Sequence, residues 1–420
     1  QLELTYSLSL EERKSRNLNV DSLTEKTLNL ERELVQKTSS FIDYPDYSLG
    51  KEDIAKALNK DEAAIQFNSF PYYDGENWTD STLYVAYILR STGELAYIPL
   101  FEEEELSPLI KQLSENKGNA KELFGQLYSL VWSPLEEHLT GIETIYYAPS
   151  GLLHKVSFNA LVQTDSSYLA STYDLHALLS VRDIPNLKKT AKSSNDGLIA
   201  LIGGANFEAS TQEEIDESSL DYIMNKSIGS LLRSLDRSGW SYLKGSENEV
   251  NQINKIASDT KQNTILKTGV DASEEQFNEL VTNQQPQILH LATHGYYIPP
   301  PKEQNRSTFS FQNDNTFTNS DEPLLRSGIL LAGANQKWVH NKNIDSDFDG
   351  ILTALEVSRL DLSQTDLVVL SACETGLGDI KGSEGVYGIQ RALKMAGVKN
   401  QLVSLWKVPD KETAEMMELF

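Results

Sequence analysis

The stretch LVVLSACETG, residues 367–376, decides the fold. Four apolar, β-prone residues follow one another without alternation and stop at small and polar ones. A strand with one wet face alternates, whereas a strand covered on both faces reads as a continuous apolar run. Four more runs share the pattern: LIALI at 198–202, ILHLA at 288–292, GILLA at 328–332 and LVSLW at 402–406. Amphipathic helical stretches at 246–257, 272–282, 353–360 and 383–396 lie between several of them. Apolar strands alternating with helices predict an α/β domain with a mostly parallel sheet flanked by helices.

Upstream the texture differs. LYVAYIL at 83–89 and the run 95–100 flank Ser91-Thr92-Gly93, a hairpin signal. Residues 103–139 read as helical and IETIYYA at 142–148 as a strand. The segment 1–65 is polar and helix-prone, with Leu23, Leu30 and Leu34 near helical spacing and a further helix expected over 51–64. The expected organisation is a helical segment over 1–65, an α+β half over 66–190 ending in a Lys/Ser/Asn/Asp linker, and the parallel-sheet domain over 191–420. The polar stretch 296–324, with Pro299-Pro300-Pro301, reads as a long functional loop. The chain starts at Gln1 and stops at Phe420 inside a helical pattern, so it reads as a piece of a longer protein, C-terminally truncated.

Composition removes whole classes of function. Across 420 residues, 37 Lys+Arg against 61 Asp+Glu leave a net charge of −24. With no basic stripe to offset it, such a body repels phosphate backbones, which excludes direct nucleic-acid binding. No apolar run approaches the roughly 18 residues that span a bilayer, and no signal-peptide core precedes the chain. The tripeptides at Asn77, Asn225 and Asn305 therefore lack the secretory context that glycosylation needs. The single cysteine cannot form an internal disulfide, which fits a reducing compartment and a cytoplasmic location.

Ligands of open parallel sheets sit at the carboxyl ends of the strands. There, strand 288–292 runs into Thr293-His294-Gly295 and strand 367–370 into Ser371-Ala372-Cys373. If the strands are neighbours, at about 4.8 Å spacing, thiol and imidazole face one cleft. An imidazole that takes the thiol's proton makes a nucleophile. The amides of Gly295 and Cys373 would then form an oxyanion hole. Two plainer readings stay open, a buried hydrophobic Cys373 and a loop-capping His294. The coincidence of both at strand ends favours catalysis. Other motifs fit worse. A phosphatase loop needs Arg where Asp379 stands, and a nucleophile elbow needs Gly at the positions of Ser371 and Thr375. The run 376–385 lacks the Gly-Lys-Ser/Thr of a phosphate loop. Asp345, Asp347, Asp349, Gly350 and Glu356 match the EF-hand pattern, but a strand precedes them and no second hand exists, so a polar loop capping a helix is the favoured reading.

Six blocks in order resemble the CHAT family of caspase-like cysteine proteases, often fused to tetratricopeptide repeats and related to separases. These are LHLATHGYY (289–297), LLRSGILLAGAN (324–335), DGILTALE (349–356), LVVLSACETGLGD (367–379), GSEGVYGIQRALKMAG (382–397) and VSLWKVPDKETAEMM (403–417). The resemblance implies a caspase-like fold, a dyad of His294 and Cys373, and peptide-bond hydrolysis with no cofactor or metal. By likeness to separases, Asp410 would line a pocket for a basic side chain, with Glu384 a second acid; capping of the helix 411–420 is the alternative for Asp410. His154 is expected to be structural and His290 a satisfied core histidine. The family's substrates are partner proteins such as gasdermin-like pore formers and CRISPR-linked factors. Upstream helical repeats would receive an activating partner, 66–190 would be a degenerate protease-like half, and no membrane is involved. A catalytically silent interaction scaffold is the other reading.

Overall fold

The computed structural model describes residues 49–115, 118–163, 167–188, 197–209, 239–298, 323–339, 348–372, 379–380, 386–405 and 410–420, together with Lys26. After helix α1 (Lys51–Ala57) come β1 (Glu62–Tyr73), β2 (Trp78–Arg90), β3 (Leu95–Glu102), α2 (Glu103–Ser114), α3 (Ala120–Leu127), β4 (Thr144–Ala148), β5 (Asp174–Ala177) and α4 (Ile184–Leu187). The strands form one sheet in the order β3-β2-β1-β4-β5. The first three make an antiparallel meander, and β4 and β5 add in parallel.

Two expectations fail in this region. The helix expected over 51–64 ends at Ala57, and a strand begins at Glu62. Ala63, Ile65 and Phe67 are buried in the sheet's core, so tertiary burial overrides the helix propensity of the Glu-Ala-Ala run. The helix expected over 103–139 is three pieces. Beyond α3 the chain tightens and loosens through irregular turns over 128–138, with Pro134 at the start of the last. Val131, Trp132 and Leu135 from these turns are fully buried.

The second region runs β6 (Ile199–Ala205), α5 (Lys244–Asp259), β7 (Thr264–Gly269), α6 (Glu274–Asn283), β8 (Ile288–Ala292), β9 (Gly295–Tyr297), β10 (Ser327–Leu330), α7 (Ala334–Trp338), β11 (Ile351–Thr353), α8 (Ala354–Val357), β12 (Leu367–Ser371), β13 (Asp379–Ile380), β14 (Val386–Tyr387), α9 (Ile389–Met395), β15 (Asn400–Val403) and α10 (Asp410–Leu419). Its main sheet has the order β15-β12-β8-β6-β7, and every neighbouring pair is parallel. In chain order this is 2-1-3-4-5, a doubly wound α/β arrangement, so the α/β expectation holds. One face packs Ala200, Ile202, Leu289, Leu291, Val368 and Leu370 against α6 and α9. The other turns Leu201 and Ala292 toward Val250 of α5. Both faces are dry, which is why the strands read as unbroken apolar runs.

The strand at 328–332 does not join this sheet. β10 pairs antiparallel with β9 and β11 in a separate three-stranded ribbon. Ile329, Leu330, Ile351 and Leu352 of the ribbon sit in the same core as the main sheet, so its apolar pattern looks identical in sequence.

Candidate active site

The two strands that matter most are direct neighbours. β8 and β12 pair in parallel with Ala292 opposite Ser371, and the Thr293 amide continues the ladder to the Ser371 carbonyl at 3.3 Å. The chain therefore leaves both strands at one rim. His294 follows Ala292 by two residues, and Cys373 follows Ser371 by two. Cys373 and Glu384 lie outside the described residues.

His294 is half-buried and flanked by two aromatic rings. Its centroid is 5.1 Å from that of Trp240 and 5.2 Å from that of Phe207. Trp240 in turn meets Trp338 of α7 edge-on at 5.3 Å. His294 Nε2 lies 2.8 Å from the Ser241 carbonyl oxygen. A carbonyl only accepts, so Nε2 carries the proton, and in the neutral ring Nδ1 keeps its lone pair. Desolvation holds the imidazole's pKa below its ordinary value, while the Ser241 carbonyl and the charge of Asp410 pull it partway back. Gly295 is buried and opens β9 opposite Ile329.

Asp410 is the first residue of α10, but its carboxylate reaches a different helix. Oδ2 accepts from the Gly245 amide at 2.6 Å, and Oδ1 from the Ser246 amide at 3.1 Å and its hydroxyl at 3.3 Å. The acid thus caps α5 across 165 residues of sequence. The same acid lies close enough to His294 to act on it through its charge.

Beneath the rim runs a buried polar bridge. Glu249 of α5 receives the Ser371 hydroxyl on Oε2 at 2.9 Å and meets His290 Nε2 with Oε1 at 2.6 Å. One carboxylate thus ties the two neighbouring strands together. His290 is a satisfied core histidine, as its mid-strand place suggests.

The EF-hand reading keeps only part of its residues in view. Asp345 and Asp347 lie outside the described residues. Glu356 accepts from the amide and hydroxyl of Thr353, both at 2.7 Å, in a capping box that starts α8. Asp349 accepts from the Ile351 amide at 3.0 Å. Glu274 of α6 accepts from the Gly350 amide at 3.0 Å, and burial pushes its pKa up to about 9, with Glu356 and Asp349 adding to the shift. Among the described residues no three His, Cys, Asp or Glu side chains form a group suited to a metal ion. His154 is half-buried, its buried Nε2 meets no partner, and desolvation lowers its pKa to about 4.

Parallel strands, a paired rim and a ring-flanked histidine agree with the scan of protein families, in which the CHAT domain matches residues 121–420. The chain belongs to the CHAT family. No curated protein matches it. The CHAT match starts within α3 and takes in β4, β5 and the whole second region. The CHAT domain is a caspase-like, protease-related module. Among the described residues, no helix is long and apolar enough to cross a membrane.

Three groups at the CHAT site escape sequence reasoning: the Ser241 carbonyl, Glu249, and Asn335, which binds the backbone of Trp240. A backbone carbonyl leaves no residue signature. Glu249 looks like any helix carboxylate. Asn335 had a signal, since it closes the LLAGAN block.

Proposed function

We propose that the chain is a cysteine endopeptidase that cleaves a partner protein with Cys373 as nucleophile and His294 as base. The observation that supports it most is the β8–β12 register, which starts the segments of both residues at equal offsets from paired neighbours. His294 Nδ1 takes the thiol proton. The thiolate attacks the scissile carbonyl, and the amides of Gly295 and Cys373 receive the oxyanion. The imidazolium then protonates the leaving amine as the C–N bond breaks, leaving a thioester. Water, deprotonated by His294, attacks the thioester and releases the acid and the free thiol. No cofactor takes part. We expect the enzyme to be latent until a protein partner acts on it.

The test is mass-spectrometric mapping of cuts in a peptide library, with Cys373→Ala and His294→Ala as blanks. Cuts that persist in both variants would refute the assignment. The same library reads the basic preference assigned to Asp410 and Glu384, since cuts after Lys or Arg would be lost on neutralising those acids. A scaffold without chemistry would give no cuts and no labelling of Cys373 by a thiol-reactive peptide electrophile.

A further inference from the structure

The backbone strap 239–246 joins Trp240 and Ser241 to the start of α5. Side chains from two distant elements hold it. At one end Asn335 of α7, fully buried, accepts from the Trp240 amide on Oδ1 at 2.8 Å and donates from Nδ2 to the Trp240 carbonyl at 3.0 Å. A third bond, from Nδ2 to Glu208 Oε1 at 2.7 Å, fixes which way the amide points. At the other end Asp410 grips Gly245 and Ser246. Between the two grips stands the Ser241 carbonyl that receives the proton of His294 Nε2.

Both glycines of the strap are there for space or conformation. Gly239 has φ +77, and a Cβ on it would stand 3.2 Å from Asn335 Nδ2. A Cβ on Gly245 would stand 2.4 Å from the Asp410 carboxylate. A side chain at Gly245 displaces the acid.

We infer that Asn335 and Asp410 are positioning residues: together they clamp the strap so that the Ser241 carbonyl fixes the orientation and tautomer of His294. Neither touches the reacting atoms. Asn335 sets where the carbonyl stands and Asp410 sets the helix start that anchors it. A carbonyl free to drift would let the ring turn over or take the other tautomer, and Nδ1 would no longer present a lone pair. The inference deepens the protease reading, but its geometry stands without that reading.

The experiment is nitrogen NMR of the histidine rings in the full 420-residue chain, with His294→Gln to assign the signal. The unmodified chain is expected to show His294 as the Nε2–H tautomer. Asn335→Ala and Asp410→Ala are each expected to give a mixture of tautomers. Where turnover is measurable, Asn335→Ala lowers kcat about 10- to 100-fold at an unchanged KM, the cost of misplacing a reacting group by about an ångström. An Nδ1–H ring in the unmodified chain would overturn the inference, as would wild-type ring signals in either folded variant. If both variants fail to fold, hydrogen exchange decides on the unmodified chain: slow exchange at the Trp240 and Gly245 amides supports the clamp, and fast exchange overturns it. The ring signals are read without substrate, so an inactive enzyme with the expected tautomers would sink the protease reading and spare the clamp.

Discussion

His294 sits where burial and function pull in one direction. Its pKa is held below the ordinary histidine value by desolvation, so the neutral, proton-accepting ring persists as the solution turns acid. The acid limb of kcat/KM is therefore expected below pH 6.5, the ordinary value of the free group, in a pH–rate profile. His294→Ala and Cys373→Ala are each expected to lower kcat by several hundredfold or more, with the double variant no worse than either, because the two act as one unit. Sequence spacing was enough to find His294, since the strand before it is an unbroken apolar run. It could not find Ser241, because what the ring needs there is a carbonyl that any residue offers. Asp410 was legible as an acid near the site. Its partners were not, since the amides that it caps lie 165 residues away.

At the scale of elements, α5 holds the site together from one face. Glu249→Ala leaves the His290 ring nitrogen and the Ser371 hydroxyl buried without their partner. At about 1–3 kcal/mol for each orphaned group, the variant is expected to lose about 2–6 kcal/mol in urea unfolding. Ser371→Ala combined with Glu249→Ala should cost less than the sum of the two, because they remove one network. The parallel strands were legible because both their faces are dry. Three kinds of element were not. β7 (TILKTG) is a partly buried edge strand whose polar residues hide it. β1 hid behind helix-forming Glu and Ala. β10 looked like one of the five parallel strands, and only its pairing with β9 and β11 separates it, because periodicity reports burial and not which sheet provides it.

Over the whole molecule, pH acts through buried groups in both regions. Glu274 in the second region keeps its proton to about pH 9, whereas in the unfolded chain the group releases it near 4.5. Between those values the folded state binds more protons, so stability falls as pH rises. Glu274→Gln removes that slope and keeps an acceptor for the Gly350 amide. Its Tm is expected to exceed that of the parent chain by a margin that widens from pH 5 to 9. His154 in the first region works in the opposite sense. It titrates near 4 in the fold and near 6.5 when free, so the unfolded chain binds the extra proton and stability falls as pH drops from 6.5 toward 4. His154→Gln should flatten that acid limb in calorimetry. The two windows overlap between about pH 4.5 and 6.5, where the opposing slopes offset each other, so these two groups place the stability maximum in the mildly acid range.

The bridge through Glu249 has a consequence for motion. A rod of 16 residues, about 24 Å long, is bonded by one carboxylate to both strands that lead into the rim. When thermal agitation rocks the rod, it drags the two chain exits in the same direction. Such jostling is common-mode: it shifts the two strand ends as a unit and largely cancels in the difference between them, so the gap that the proposed proton transfer would cross is steadier than either bank.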